Sequence, residues 1–241
     1  MRWTIVTGVS QGLGEALAAE VLARGASVLG IGRRSSSRLG GDRYRFAACD
    51  LAEIDSWTAH VEPALQAVAA ADPDSVCLVN NAATIEQVGV LGTLGAEAID
   101  RSLRINLAAP IALADLFCRV FDAAIERRIV NVSSGAAHHA IAGESLYSIG
   151  KAGLEMLTQS LAAEYASPRF QAITLRPGII DTPMQAFARS RPASSFPGVA
   201  MFRQFHASGQ LVAPDVVARK VVARLVEGAV ESGRVYSYAE L

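Results

Sequence analysis

Lysine is almost missing from these 241 residues. Of 22 basic side chains only Lys151 and Lys220 are lysines, and against 23 acids the formal net charge is −1. That balance argues against a nucleic-acid or acidic-membrane surface, and Arg203 with its neighbours forms no basic stripe. Cysteine is scarce and odd in number. Cys49, Cys77 and Cys118 lie in apolar surroundings at spacings that match no metal site, so a reduced, buried state and a cytoplasmic protein are expected. Aromatics make up 6% of a chain that is 51% hydrophobic, which suits many small-residue contacts between helices and a sheet. No apolar run is long enough to cross a bilayer, no signal peptide precedes a first strand expected almost at Met1, and neither a repeat nor a linker is visible.

What is present is a rhythm. Apolar, β-leaning runs at Arg2 to Val6, Ser27 to Ile31, Tyr44 to Ala48, Val76 to Asn80, Ile129 to Ser133, Gln171 to Leu175 and Arg234 to Tyr238 alternate with helical patterns. The main helical patterns are Leu13 to Arg24, Ile54 to Ala71, Ala108 to Arg127, Leu146 to Tyr165 and Asp215 to Val226. Such alternation predicts an α/β fold, a parallel sheet covered on both faces. The length suits one domain, 1–241, better than two small ones. Between Thr182 and Ala213 the rhythm breaks into a stretch rich in Pro, Gly, Met and Phe. A long aromatic insert at about 183–213, just past a strand's carboxyl end, reads as a lid over a ligand, the alternative being a surface excursion with its own mini-core.

Thr7-Gly8-Val9-Ser10-Gln11-Gly12-Leu13-Gly14 follows the first strand and opens a helix. Gly8 permits the tight turn, Gly12 lets the backbone approach a pyrophosphate and Gly14 lets helix pack on strand, while the helix N-terminus offers free N–H groups to phosphates. Where a nucleotide with a free ribose 2′-hydroxyl usually meets an acid, the chain reads Gly30-Ile31-Gly32-Arg33-Arg34, with no acid until Asp42. Guanidinium matches a 2′-phosphate bidentately, so Arg33 and Arg34 favour NADP(H) over NAD(H), unless they are merely solvated loop residues. Asp50, followed by Leu51 at the end of the third strand, could accept a hydrogen bond from the adenine amine. Asn80-Asn81-Ala82-Ala83 ends the fourth strand in a turn whose backbone would run along the adenosine. Each could equally be an Asx turn leaving a strand.

Tyr147 and Lys151 stand four apart in a helical pattern and so share a face. With five tyrosines and two lysines, that spacing would arise by chance in about one such chain in 25, and here it lies thirteen residues beyond Ser134 at a strand's end. An ammonium about 4 Å from a phenol, at an effective dielectric of about 20, offers up to roughly 4 kcal/mol, or about three pKa units. The expectation is a phenol drawn towards neutral pH that protonates a carbonyl oxygen or deprotonates an alcohol, with Ser134 bonding the same oxygen and Lys151 also able to hold a ribose. His138 and His139 could edge the substrate pocket or simply face solvent; they lack the spacing and carboxylate partners of a metal site.

Together these residues resemble the short-chain dehydrogenase/reductase family in its single-domain form, from Thr7-Gly8 through Asn80-Asn81-Ala82, Asn106, Ser134, Tyr147, Lys151 and Pro177-Gly178 to Thr182. The resemblance implies a seven-stranded Rossmann sheet and a tetrad in which Asn106 holds a water that passes protons to Lys151. It implies a nicotinamide bordered by Pro177, Gly178, the Ile180 backbone and Thr182, and pro-S hydride delivery. It also implies pairing of the helices at Ala108 to Arg127 and Leu146 to Tyr165 between subunits, in a homodimer or homotetramer. Gly8 to Ala16, Pro177 to Gln185 and Gly209 to Pro214 are most similar to the sepiapterin-reductase-like branch, especially bacterial benzil reductases that form (S)-benzoin. That similarity implies NADPH-dependent reduction of a 1,2-dicarbonyl or conjugated ketone, a small-molecule carbonyl substrate. Ala83 stands where the family usually has glycine, and Gln11 where many NADP-preferring members carry a basic residue.

Three other readings compete: an alcohol dehydrogenase working oxidatively, a non-catalytic NADP(H) sensor, and an NAD-dependent epimerase. The sensor could dispense with Tyr147 and Lys151. The epimerase usually spaces its glycines differently and adds a larger substrate domain.

Overall fold

Runs of Val, Ile and Leu build seven strands in the computed structural model, which describes residues 1–241 apart from the Thr58 side chain. They are β1 (Arg2–Thr7), β2 (Ser27–Gly32), β3 (Tyr44–Ala48), β4 (Ser75–Asn80), β5 (Glu126–Val132), β6 (Phe170–Arg176) and β7 (Val235–Ser237). Every neighbouring pair is parallel, in the order β3-β2-β1-β4-β5-β6-β7. Because successive side chains leave a strand on opposite faces, Ile5, Leu29, Leu78, Ile129 and Ala172 join one core with Trp57, Leu113 and Phe117. Their neighbours Val6, Val28, Val79, Val130 and Ile173 join a second core with Leu17, Val217 and Val221. The sheet is thus the middle of three layers.

The helices are α1 (Gly12–Ala23), α2 (Ile54–Ala69), α3 (Ala96–Leu103), α4 (Ala109–Val120), α5 (Ser145–Glu164), α6 (Pro183–Ser190), α7 (Val199–Ala207) and α8 (Pro214–Val221). α1 packs with α8 on one face, and α2 packs with α4 on the other. Strand order reverses between β1 and β4, and the crevice this opens at their carboxyl ends is where α/β sheets bind ligands.

Several expected boundaries need correction. The helix expected through Arg127 stops at Val120, because Phe121 is extended (φ −97°, ψ 124°) and buried in the core. The Asp122 carboxylate then accepts the Ala124 N–H and turns the chain, so Glu126 and Arg127 pair with β4 and Ser133 falls beyond the strand. Helix α3 was not expected; it runs into one π-helical turn at Arg104–Ala108 that continues into α4. α8 likewise ends in a π turn, Val222–Val226. The insert at about 183–213 is not open loop but carries α6 and α7, whose Phe196, Phe202, Met184 and Phe187 cluster with Tyr147, Ile85 and Ile141. The cysteines are free, but only Cys77 is fully buried, and Cys49 and Cys118 are half-buried. Among the described residues no helix is long and apolar enough to cross a membrane.

Candidate active site

The turn after β1 works only with glycine at two points. Gly8 sits at φ +74°, a region L side chains avoid, and a Cβ on Gly14 would overlap the Gly8 carbonyl oxygen and the Asn81 side chain. Gln11 caps α1 with no side-chain hydrogen bond, so the first-turn N–H groups are not capped by it. A Cβ on Gly12 would come within 3.3 Å of the Thr182 methyl, which places the turn after β6 directly over the glycine loop. That cradle fits a pyrophosphate by backbone contact and helix dipole. Ser10 and Gln11 border it on the open side, and Leu13 is buried beneath.

Thr7 Oγ1 accepts the N–H groups of Asn81 at 3.0 Å and Ala82 at 2.9 Å, and Asn81 Nδ2 donates to Thr7 O at 2.9 Å. The ends of β1 and β4 are therefore locked together. The Asn80 side chain serves the fold. Its side chain turns inward and donates to Asn131 Oδ1 at 2.9 Å, Asn131 donates to Thr158, and Thr174 donates to Thr158 as well. Only the Asn80 backbone is left to border a cofactor, because its side chain belongs to this buried chain under the site.

Arg33 and Arg34 are exposed just past β2, and among the described residues neither has a hydrogen bond or ion pair. Asp50 accepts the Ala52 N–H and lies 3.0 Å from Arg101. Burial works against its charge, but these two donors hold the carboxyl below its ordinary range. Both oxygens are thus already engaged, and Arg101 on α3 is a neighbour of this corner that the sequence did not single out. Leu51 is buried in the core, so only its backbone faces outward.

At the other end of the crevice Ser134, Tyr147 and Lys151 converge. Ser134 follows β5 in extended conformation, its hydroxyl accepting the Ala136 N–H at 3.2 Å and standing near enough to the Tyr147 phenol to act on its proton. Tyr147 lies in the first turn of α5 and Lys151 one turn on, 1% exposed. Gly150 and Gly153 let α5 approach the π turn: a Cβ on Gly150 would stand 2.8 Å from the Asn106 Cβ. Asn106 is fully buried, accepts the Thr84 N–H at 2.8 Å and donates to Thr84 O at 2.9 Å and Ser102 at 3.2 Å. Its side chain fixes the segment after β4 against α5.

The expected charge effect on Tyr147 is corrected. Lys151 donates to Val132 O at 2.6 Å, and its Nζ lies 5.4 Å from the centroid of the Tyr147 ring. Burial lowers the ammonium to about 7, so it is a weak source of positive charge. Burial pushes the phenol up, Glu144 pushes it further, and the Ser134 hydrogen bond offsets only part. The phenol of this arrangement is a held proton rather than an acidified group.

Behind the three lies a carboxylate missed in the sequence. Glu155, four residues past Lys151 on the same helical face, accepts Ser133 Oγ at 2.8 Å, Arg176 Nε and Nη2 at 2.8 Å each, and lies 2.6 Å from His138 Nε2. Burial opposes its charge, yet Arg176, His138 and Ser133 hold it down to about 2. His138 is therefore tied to α5, while His139 is exposed. The spacing from Lys151 was the available signal, but its three partners are remote in sequence. Pro177 and Gly178 (φ +76°) follow Arg176 directly. Ile180 pairs with Val212, and Thr182 caps α6 by accepting the Gln185 N–H at 3.3 Å.

Residues 2–193 match the family model described as short chain dehydrogenase. The chain is 30% identical over 243 residues to a benzil reductase ((S)-benzoin forming) of Bacillus subtilis, covering 100% of this chain and 99% of that one. Its fold superposes on the crystal structure of the KRED1-Pglu enzyme with TM-score 0.83 and 29% identity, over 98% of this chain and 100% of that. A short chain dehydrogenase from Burkholderia cenocepacia in complex with NADP gives TM-score 0.77 and 29% identity, over 97% and 94%. The chain belongs to the short-chain dehydrogenase/reductase family, NAD(P)-binding oxidoreductases acting on carbonyl and hydroxyl groups of small molecules.

Proposed function

We propose that this chain is an NADPH-dependent carbonyl reductase that converts a diketone or conjugated ketone into a hydroxyketone, with Tyr147 as the general acid. The observation that carries the reading is the convergence of Ser134, Tyr147 and Lys151, with the phenol kept protonated by burial. A protonated phenol suits the reductive direction, in which the oxygen of the carbonyl must receive a proton, more than alcohol oxidation, which needs a base. Ser134 shares that oxygen and fixes its position. Lys151, anchored on Val132 O, keeps two further N–H donors, for a ribose hydroxyl and for the water that Asn106 helps to place.

NADPH supplies the hydride when bound. Gly8, Ser10, Gln11, Gly12, Leu13 and Gly14 would hold its pyrophosphate, and Asp50, Leu51, Asn80 and Ala82 would border the adenosine, Asn80 by its backbone. Pro177, Gly178, Ile180 and Thr182 would border the nicotinamide, and Tyr147 and Lys151 its ribose. The unpaired Arg33 and Arg34 favour the 2′-phosphate, and the NADP-bound relative supports this choice. The segment 183–213 acts as a lid over the substrate in one domain, 1–241. Ile111 on α4 and Ile149 and Met156 on α5 are 44%, 52% and 59% exposed, an apolar face that favours a homodimer or homotetramer. The compartment that fits best is the cytoplasm.

The test is NADPH consumption across benzil, sepiapterin and simple aldehydes and ketones, with Tyr147→Phe alongside. Turnover is expected to fall by about 10² to 10⁴ in the variant with cofactor binding retained. Unchanged rates would remove Tyr147 from its role, and NADPH binding without oxidation of any substrate would revive the sensor reading.

A further inference from the structure

Glu144 is a buried acid with no partner. It is 3% exposed, sits at the N-cap of α5 three residues before Tyr147, and its carboxyl makes no hydrogen bond or ion pair among the described residues. Native proteins seldom leave a residue this buried without a hydrogen-bond partner for its polar atoms. Its chain neighbours meet the insert and Tyr147. A Cβ on the adjacent Gly143 would lie 2.8 Å from Phe196 and 3.3 Å from Pro197 of the insert, and Gly143 O accepts the Gly89 N–H at 2.9 Å. Tyr147 packs into the same cluster as Phe196, and Glu144 acts electrostatically on its phenol.

We propose that Glu144 sets substrate specificity: as a carboxylic acid it donates a hydrogen bond to the second carbonyl oxygen of a 1,2-diketone whose first carbonyl is held by Tyr147 and Ser134. Residues three apart at a helix start lie about 5–6 Å apart at Cβ, a separation that two side chains can bridge to neighbouring oxygens of one small molecule. Burial raises the Glu144 carboxyl to about 7, so the donor form is available at neutral pH. Of the charged groups on the elements packed around it, Glu86, Arg189, Arg191, Arg203 and Lys151, none contributes to that shift. The inference rests on the reductase reading above and names its substrate class.

The experiment compares kcat/KM for 1-phenyl-1,2-propanedione with that for propiophenone, which carries a methylene in place of the second carbonyl. Glu144→Met, close in volume, is expected to lower the diketone preference about 10-fold. In the wild type the preference should decline as pH rises through about 7, where the acid loses its proton. Glu144→Gln, whose amide donates at every pH, should hold the preference level across that range. A Glu144→Met ratio equal to wild type, or a Glu144→Gln ratio that follows the wild-type pH curve, overturns the assignment while leaving Tyr147 in place. Failure of the wild type to reduce either ketone brings down the reductase reading and this inference with it.

Discussion

Lys151 gives a hydrogen bond to the carbonyl oxygen of Val132 at 2.6 Å, which joins α5 to the end of β5, the strand that leads into Ser134. Among the described residues no carboxylate pairs with this ammonium, and burial lowers it to about 7. Its ordinary value in an unfolded chain is about 10.5. The folded value is the lower one, so the stability linked to this group is full above about 10.5 and is lost as pH falls through 7.

Lys151→Met removes that penalty along with one hydrogen bond worth about 1 kcal/mol. The variant is therefore expected to melt several degrees above wild type near pH 6, with the gap closing towards alkaline pH, while turnover falls at least about 100-fold. Calorimetry across that range checks the sign. A variant that melts lower than wild type at acid pH would show that the Val132 bond outweighs the buried charge.

Glu155 carries the opposite pH signature. Its carboxyl binds the loop after Ser134 through Ser133 and His138, and the turn at Pro177 through Arg176. The folded value near 2 lies below the ordinary 4.5, so its contribution is full above about 4.5 and disappears as pH falls towards 2. Glu155→Gln breaks a buried ion pair and should cost about 3 kcal/mol at neutral pH, a cost that shrinks below about pH 4. Because Ser134 and the turn at Pro177 both lose an anchor, kcat should drop more than KM rises. Glu155→Asp should recover part of both. A loss of stability with kcat intact would make the clamp a fold element only.

The sheet and the Ser134, Tyr147, Lys151 set were legible because each rests on local pattern: continuous Val/Ile runs, a glycine turn, a four-residue helical spacing. What escaped rests on distance. Phe121 ends its helix because a core pocket takes its ring, which helical periodicity does not register. The partner of the Asn80 side chain is Asn131, 51 residues away, and no local pattern announces that pairing. The acidifying effect expected of Lys151 took its ammonium as fully charged and about 4 Å from the phenol. Burial and the Val132 carbonyl took that cation away, and neither is visible as a spacing. No spacing marks Glu144 or Glu155, since burial sets the state of one and three donors remote in sequence set that of the other.

On the proposed reading Arg33 and Arg34 select the coenzyme, and the loop that carries them is fixed independently. Ser36 bonds the Glu15 carboxylate and accepts the Arg38 N–H at 3.0 Å, while Arg38 lies 3.2 Å from Glu15. Removing the two guanidinium groups therefore leaves the backbone in place. A charge-assisted hydrogen bond is worth about 1.5–3 kcal/mol, so Arg33→Ala/Arg34→Ala should raise the KM for NADPH by about 10- to 100-fold or more. The KM for NADH should change by less than about 3-fold, because no 2′-phosphate is present to lose a partner. High salt should weaken NADPH binding in the wild type and much less in the double variant, since exposed charges are screened. An equal loss with both coenzymes would mean that the arginines support the loop rather than read the phosphate.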